Sequence, residues 1–214
     1  MRKIFSLWPE GIRNPALPAL VGQLRATLRS CGRILDVGCG KSSPVRFIQH
    51  ARVVGLDGFA PAIKDAQTLG THDEYLLGDV RNLGQLFPAK SFDASVSLDV
   101  IEHLPKEDGW RLLDDMEKLS GRAVMIFTPN GFVPQHSKDG DLQEHLSGWT
   151  VEDFQQRGYK VLGMCGPKVL RGEYHVIKRK PRLFWAMASV LADYCYSRSH
   201  PESAAALLAI KTLG

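Results

Sequence analysis

The apolar positions along the chain change period repeatedly, and those changes mark out its elements. From Pro15 to Ser30, Leu17, Leu20, Val21, Leu24 and Leu28 recur at helical spacing, with proline in the first turn and Gly32 just past the end. Ile34, Leu35 and Val37 then form a short buried-strand run broken by Gly38 and Gly40, and a helical segment is expected from Pro44 to His50. Further strands are read at 52–56, 74–77, 92–98 and 123–127. Between them lie helices at 61–69 and around Trp110, Leu113, Met116 and Leu119. Residues 132–147 are polar and without period, a length at which loops are usually functional or disordered. Thr150 and Asp153 spell a capping box for a short helix closed by Gly158, and 160–164 with 174–177 read as a closing strand pair. Leu183, Phe184, Met187, Val190 and Leu191 return to helical spacing, and a second apolar helix is expected after Pro201. Strand and helix alternating at these intervals predict βαβ units and a parallel sheet covered on both faces.

The stretch Ile34-Leu35-Asp36-Val37-Gly38-Cys39-Gly40 carries the first candidate chemistry. Strand, glycine turn and helix make a nucleotide-cofactor geometry, because glycine lets backbone N–H groups approach a ligand closely. The dinucleotide fingerprint needs a third glycine where Ser43 stands, and a phosphate-binding P-loop needs glycine where Leu35 stands. What remains is D-x-G-x-G, with a purely structural turn as the alternative. Asp36 suits a cationic amino-acid moiety better than a pyrophosphate. In an open parallel sheet ligands bind beyond the carboxyl ends of the strands, and Asp36, Asp57 and Asp79 fall at or near three successive ends. Asp57 stands about 20 residues past the first glycine, the interval at which an acid reaches ribose hydroxyls. Asp79, one strand further out, is placed to accept from the exocyclic amine of a base.

Composition narrows the setting without choosing a substrate. The chain has 214 residues and a formal charge of +4, so one domain with appendages is expected and an acidic partner is permitted without being demanded. Cys31, Cys39, Cys165 and Cys195 form no C-x-x-C pair, which argues against a disulfide framework or zinc site and for a cytoplasmic location. No signal peptide or spanning segment is read. The basic run 178–182 and the apolar helix after it have two readings. One is peripheral membrane contact by 178–195, and the other is a helix packed on the domain or on a second subunit.

Taken together, LDVGCG at 35–40, GLD at 55–57, GDV at 78–80 and FDASVSLDVIEHL at 92–104 resemble a class I S-adenosylmethionine-dependent methyltransferase of the small-molecule, type 11/23-like branch. QEHLSGWTVEDF before Gly158-Tyr159 resembles the same branch. The resemblance implies a Rossmann-like, doubly wound α/β fold with a mostly parallel seven-stranded sheet and an antiparallel C-terminal strand, plus C-terminal helices. It places the methyltransferase domain at 1–180 and a helical extension at 181–214. It also implies that the loop Gly38-Cys39-Gly40 passes under the methionine part of the cofactor, with Asp36 helping to hold the ammonium. Asp57 would take the ribose hydroxyls with Gly58 and Phe59 beside the adenine, Asp79 and Val80 would meet the base, and Leu98 and Asp99 would line the sulfonium. Lys41-Ser42 departs from the smaller loop end usual in the family.

Methyl transfer from a sulfonium needs alignment and exclusion of water, and a hydroxyl acceptor also needs a base. His103 and, on the long loop, His145 are the catalytic candidates, with Glu102 and His136 as alternatives and Trp149 and Phe132 as expected pocket walls. The acceptor is read as a small molecule, amphiphilic or membrane-linked, methylated on oxygen or nitrogen by a monomer or homodimer. No metal and no nucleic acid are expected, since Leu-Asp-Val-Ile-Glu-His stands where base-amine methylases carry Asn/Asp-Pro-Pro-aromatic. The alternatives are a nucleic-acid or protein methyltransferase, a nicotinamide oxidoreductase and a non-catalytic binder of the same cofactor.

Overall fold

The structure is a computed structural model that describes residues 17–135, 144–171, 177 and 179–214. Helix α1 (Leu17–Leu28) leads into strand β1 (Arg33–Val37), and β2 (Arg52–Asp57), α2 (Ala60–Leu69), β3 (Glu74–Leu77) and the short α3 (Leu83–Leu86) follow. Then come β4 (Phe92–Leu98), α4 (Lys106–Leu119), β5 (Ser120–Pro129), α5 (Val151–Gln155), β6 (Lys160–Pro167), α6 (Arg182–Ala192) and β7 (Ala204–Thr212). One seven-stranded sheet runs in the order β3-β2-β1-β4-β5-β7-β6. The pairs from β3 to β5 are parallel, while β7 pairs antiparallel with both β5 and β6.

Period-two alternation in the strands divides the core between the two faces of the sheet. Leu35, Val37, Leu56, Val124 and Ile126 meet α4 through Leu112, Leu113 and Met116 on one face. Ile34, Val53, Val96 and Met125 meet α1 through Leu20, Leu24 and Leu28 on the other. Gly70 ends α2 in the left-handed conformation, and the Thr150–Asp153 capping box opens α5 as its sequence predicts.

Three expectations need correcting. The segment expected to be helical from Pro44 to His50 is a single 3₁₀ turn, Pro44–Phe47. Ser43 caps it by accepting from the Val45 N–H at 3.2 Å, and Ile48 leaves helical geometry at once. The partner of β6 is not 174–177: Ile177 makes only an isolated bridge to Arg171, and residues 172–176 lie outside the described residues. That partner is β7, where a second helix was expected after Pro201. Residues 181–214 are therefore not a helical extension, because their last strand lies inside the sheet between β5 and β6. An unbroken apolar run such as Ala204-Ala-Ala-Leu-Leu-Ala209 carries no period, so a strand buried on both faces and a buried helix look alike in it. The structure decides by burial: Leu207 and Ala209 join one core, Ala206 and Leu208 the other.

Packing on the last segment is close. A Cβ on Gly163 of β6 would lie 1.9 Å from the Ser197 carbonyl oxygen, and one on Gly166 would lie 2.3 Å from the Ser189 Oγ of α6. The fully buried Leu208 tests β7 directly. Leu208→Ala is expected to lower unfolding stability by roughly 2–5 kcal/mol in urea titrations, whereas a loss under about 0.5 kcal/mol, usual for surface positions, would mean that this segment does not belong to the sheet.

Candidate active site

Strand order reverses between β1 and β4, and the cavity opens there, at the carboxyl ends of the parallel strands. Its volume is about 1050 Å³. Gly38, Cys39, Gly40, Asp57, Gly58, Phe59, Asp79, Val80, Leu98, Asp99 and His103 all line it. The exposed faces of Phe59, Leu77 and Leu146 give it apolar surface, and Leu17 and Leu20 of α1 reach its edge.

The glycine loop is bound to the end of β2. Gly38 N–H and Cys39 N–H both donate to the Leu56 carbonyl, at 2.8 and 2.9 Å, and Gly40 N–H donates to Asp57 Oδ2 at 2.8 Å. These donors are thus spent inside the protein. Glycine serves here for shape: Gly38 has φ +73°, and a Cβ on it would lie 2.3 Å from Val100 Cγ2. Gly40, at φ +53°, has open space where a Cβ would stand. The other Asp57 oxygen accepts from Phe59 N–H at 2.8 Å, so one carboxylate fixes both walls of the cleft.

Asp36 is placed differently from the expectation. Its side chain is buried, does not line the cavity, and accepts from His72 Nε2 at 2.8 Å beneath the loop. Its reach is inward because β1 alternates faces and because Gly55 opposite leaves room: a Cβ there would lie 2.9 Å from Cys39 Sγ and 3.1 Å from the His72 ring. His72 was missed in the sequence. The available signal was Gly55 inside an apolar strand, a mark of close approach by another group. Cys39, although in the loop, has its thiol in this same buried pocket, and burial pushes that thiol up.

Asp79 caps the 3₁₀ turn Val80–Asn82 by accepting from Arg81 N–H at 2.9 Å, and it is also gripped by the Arg81 guanidinium, Nε at 2.9 Å. The Arg81 hydrogen bond holds its carboxyl below the ordinary value. Asp99 has φ +54°, a left-handed conformation uncommon outside glycine, asparagine and aspartate, and its N–H donates to the Phe127 carbonyl at 2.9 Å. It is exposed and lines the cavity. The loss of bulk water inside the cleft raises its carboxyl, while a hydrogen bond with Glu102 works the other way. Glu102 is raised too, by burial first and then by the charge of Asp99, and its Oε2 accepts from Thr128 Oγ1 at 3.0 Å.

His103 and His145 come together, their ring centroids 4.8 Å apart. His103 lines the cavity, while His145 is buried behind it. Two expected pocket walls are not walls of this cavity. Trp149 is wholly buried in the core, stacked with Phe154 and donating from Nε1 to Ser147 Oγ at 3.0 Å; Phe132 is exposed but does not line the cleft. His136 lies outside the described residues.

Residues 35–127 match a protein-family model described as a methyltransferase domain. That stretch, less than half of the chain, is similar to a methyltransferase domain. The fold of the chain is similar to that of an S-adenosylmethionine-dependent methyltransferase from Archaeoglobus fulgidus, with a TM-score of 0.60 at 16% identity over 92% of this chain and 94% of that one. It is also similar to magnesium protoporphyrin IX methyltransferase from Synechocystis PCC 6803, crystallised with S-adenosylhomocysteine, at a TM-score of 0.54, 16% identity, and 92% and 82% coverage. The plantazolicin methyltransferase BamL, likewise in complex with S-adenosylhomocysteine, matches at a TM-score of 0.55, 15% identity, and 95% and 87% coverage. At such identities the likeness is one of fold. Among curated proteins no match is found.

The residues that line the cleft fit S-adenosylmethionine on their chemistry. Carboxylates at the ends of β2 and β3 suit a cation and a ribose diol, Phe59 and Leu77 offer flat apolar contact to a base, and Gly40 leaves the loop open where a side chain would intrude. Asp57→Asn is expected to weaken binding of S-adenosylmethionine by about 10- to 100-fold in calorimetry, the effect of losing charged hydrogen bonds. His72→Phe leaves a buried carboxylate without its partner, and urea unfolding is expected to show a loss of about 3–5 kcal/mol.

Proposed function

We propose that the protein transfers the methyl group of S-adenosylmethionine to an oxygen or nitrogen of a small, amphiphilic acceptor. The observation that carries this reading is the cleft at the sheet's reversal point. There Asp57 and Asp79 stand at one end, and Asp99 and His103 stand beyond Leu98 at the other, all lining one cavity. Its volume is just above the roughly 300–1,000 Å³ of small-molecule sites, room for a donor and an acceptor together.

Bound S-adenosylmethionine supplies an electrophilic methyl on a sulfonium. The protein then has three tasks. The loop 38–40 and Asp57 hold the donor in one orientation. Leu98, Phe127 and Leu146 exclude water from the line of transfer. His103, whose Nδ1–H donates to the Glu144 carbonyl at 3.0 Å, carries its ring lone pair on Nε2 and so has a basic nitrogen for the acceptor side. His145 holds that ring edge-on.

The amphiphilic character of the acceptor draws on α6. Phe184, Met187, Leu191 and Tyr194 recur at helical spacing and are all exposed, with exposed Arg179 and Lys180 just before the helix. An apolar stripe beside basic residues fits the surface of an anionic bilayer, where an amphiphilic substrate would be found. Among the described residues no helix is long and apolar enough to cross a membrane.

Transfer of labelled methyl from S-adenosylmethionine across a panel of phenols, amines, lipids and sugars tests the activity. Product is expected with amphiphilic hydroxyl or amine compounds and a fall of about 10²-fold or more for His103→Ala, as for loss of a general base. Micromolar binding of the cofactor with no product from any acceptor would instead make the protein a cofactor-binding module. Flotation with anionic vesicles at low salt is expected to carry the protein, and Met187→Glu/Leu191→Glu to release it.

A further inference from the structure

Three metal-ligating side chains meet beside the acceptor end of the cavity. One ligand atom from each of Glu102, His103 and His145 lies within 4.8 Å of the others. Two segments far apart in sequence build this cluster. The turn Ile101–His103 after β4 brings Glu102 and His103, and the chain before Trp149 brings His145. The segments are tied together where Leu146 N–H and Ser147 N–H both donate to the Glu102 carbonyl, at 2.8 and 3.0 Å.

Each ring is oriented by the protein. His103 Nδ1 meets the Glu144 carbonyl at 3.0 Å and His145 Nδ1 meets the Val133 carbonyl at 2.6 Å. A carbonyl only accepts, so in both neutral rings the proton is on Nδ1 and the lone pair on Nε2. An outer backbone carbonyl that fixes the tautomer in this way is the usual companion of an imidazole metal ligand. The third group, Glu102, is buried and aligned by Thr128, and its other carboxyl neighbour is the acid Asp99 rather than a base. Two imidazoles and two carboxyls gathered at one place form a donor set for a cation.

We propose that Glu102, His103 and His145 bind a divalent first-row transition-metal ion, whose open positions face Asp99 and the acceptor. Two imidazole nitrogens with a carboxylate suit Mn²⁺, Fe²⁺, Co²⁺ or Zn²⁺ better than the all-oxygen preference of Ca²⁺ or Mg²⁺. Ligands about 2.1 Å from an ion stand about 3.0–3.4 Å apart, so binding draws the three groups together by about 1–2 Å from their present spacing. The inference rests on the methyl-transfer reading and deepens it: the acceptor is then a compound with a hydroxyl, phenol or catechol oxygen that enters the ion's coordination sphere. With its Nε2 on the ion, His103 acts as a ligand in place of a base, and the metal-bound hydroxyl gives up its proton to solvent more readily. The oxygen–methyl bond forms as the methyl–sulfur bond breaks, with the bonding pair leaving on sulfur.

The test is Mn²⁺ titration of the full chain after removal of metals by chelator, read by electron paramagnetic resonance, with Zn²⁺ competition. One Mn²⁺ per chain is expected, displaced by Zn²⁺, with affinity falling tenfold or more in His145→Ala. Calorimetry is expected to show S-adenosylmethionine affinity within about twofold of the parent in that variant, since His145 does not line the cavity. Should His145→Ala fail to fold, His103→Gln carries the same expectation for Mn²⁺, because that ring is only partly buried. No binding of Mn²⁺ or Zn²⁺ by the parent chain, or equal binding by His103→Gln/His145→Ala, would overturn the proposal. The metal readout is independent of the donor: Mn²⁺ bound at these residues by a chain that ignores S-adenosylmethionine would keep the metal site and sink the methyl-transfer reading.

Discussion

The cleft depends on a single carboxylate at the end of β2. Asp57 accepts from Gly40 N–H through one oxygen and from Phe59 N–H through the other. Together with the Leu56 carbonyl, which takes Gly38 and Cys39, it closes the glycine loop against the neighbouring strand. The arrangement works only because β1 and β2 are parallel and adjacent, with Val37 in register with Leu56. A loop whose own N–H groups are satisfied at home cannot serve as a phosphate cradle. It can serve as a rigid, uncharged floor under a cationic ligand, with the acid charge brought to the side by Asp57. The same constraint explains why Asp36 turns inward: the space beneath the floor is occupied by Cys39 and His72, and a buried carboxylate needs a partner there.

Sequence periodicity was most informative where each strand had a distinct face. The five parallel strands, helices α1, α2 and α4 and the capping box at Thr150 could be read because β-branched runs, helical spacing and glycine stops agreed with one another. Legibility failed at β7 for a physical reason. A strand inserted between two others, buried on both faces, loses the alternation that identifies strands, and alanine is as good a helix former as exists. Glycine content likewise located the loop but not the destination of its N–H groups, which depends on the neighbouring strand's carbonyl. For the cleft, positions near strand ends were readable from spacing. The Asp36–His72 contact spans 36 residues, and Gly55 in its apolar strand marks a close approach without saying which group makes it. Trp149 shows the same limit: an aromatic after a polar loop reads as a pocket wall, but Gly109 in α4 leaves a hole that its ring fills.

The two ends of the cleft are electrostatically different, and the difference follows from topology. On the β1–β2–β3 side the carboxyls are individually answered, Asp57 by backbone N–H groups and Asp79 by Arg81. Both carboxyls line the cleft, suited to a ligand bearing positive charge. On the β4–β5 side Asp99 and Glu102 are paired with each other, with a hydroxyl and two imidazoles around them. Two carboxyls held that close favour a proton or a cation between them. The left-handed backbone at Asp99 keeps the two carboxyls together, since it turns the chain sharply off β4 into the Ile101–His103 turn. A left-handed aspartate held in place by the Phe127 carbonyl is a cost the fold carries beside the cavity.

That contrast bears on how transfer is aligned. In-line displacement requires the acceptor atom, the methyl carbon and the sulfur to be collinear, so the two half-sites must be fixed relative to each other. Here both hang from strands paired in one sheet: Val37 with Ser97, and Leu98 with Phe127. On the proposed reading the donor half is set by β1 and β2, and the acceptor half by β4 and β5. Their spacing is therefore a lattice spacing of the sheet, insensitive to the loops above it. The loop residues Leu146, which lines the cavity, and His145, behind it, do not have to carry the alignment. This division leaves the segment before Trp149 open to change with the acceptor while the transfer geometry stays with the strands.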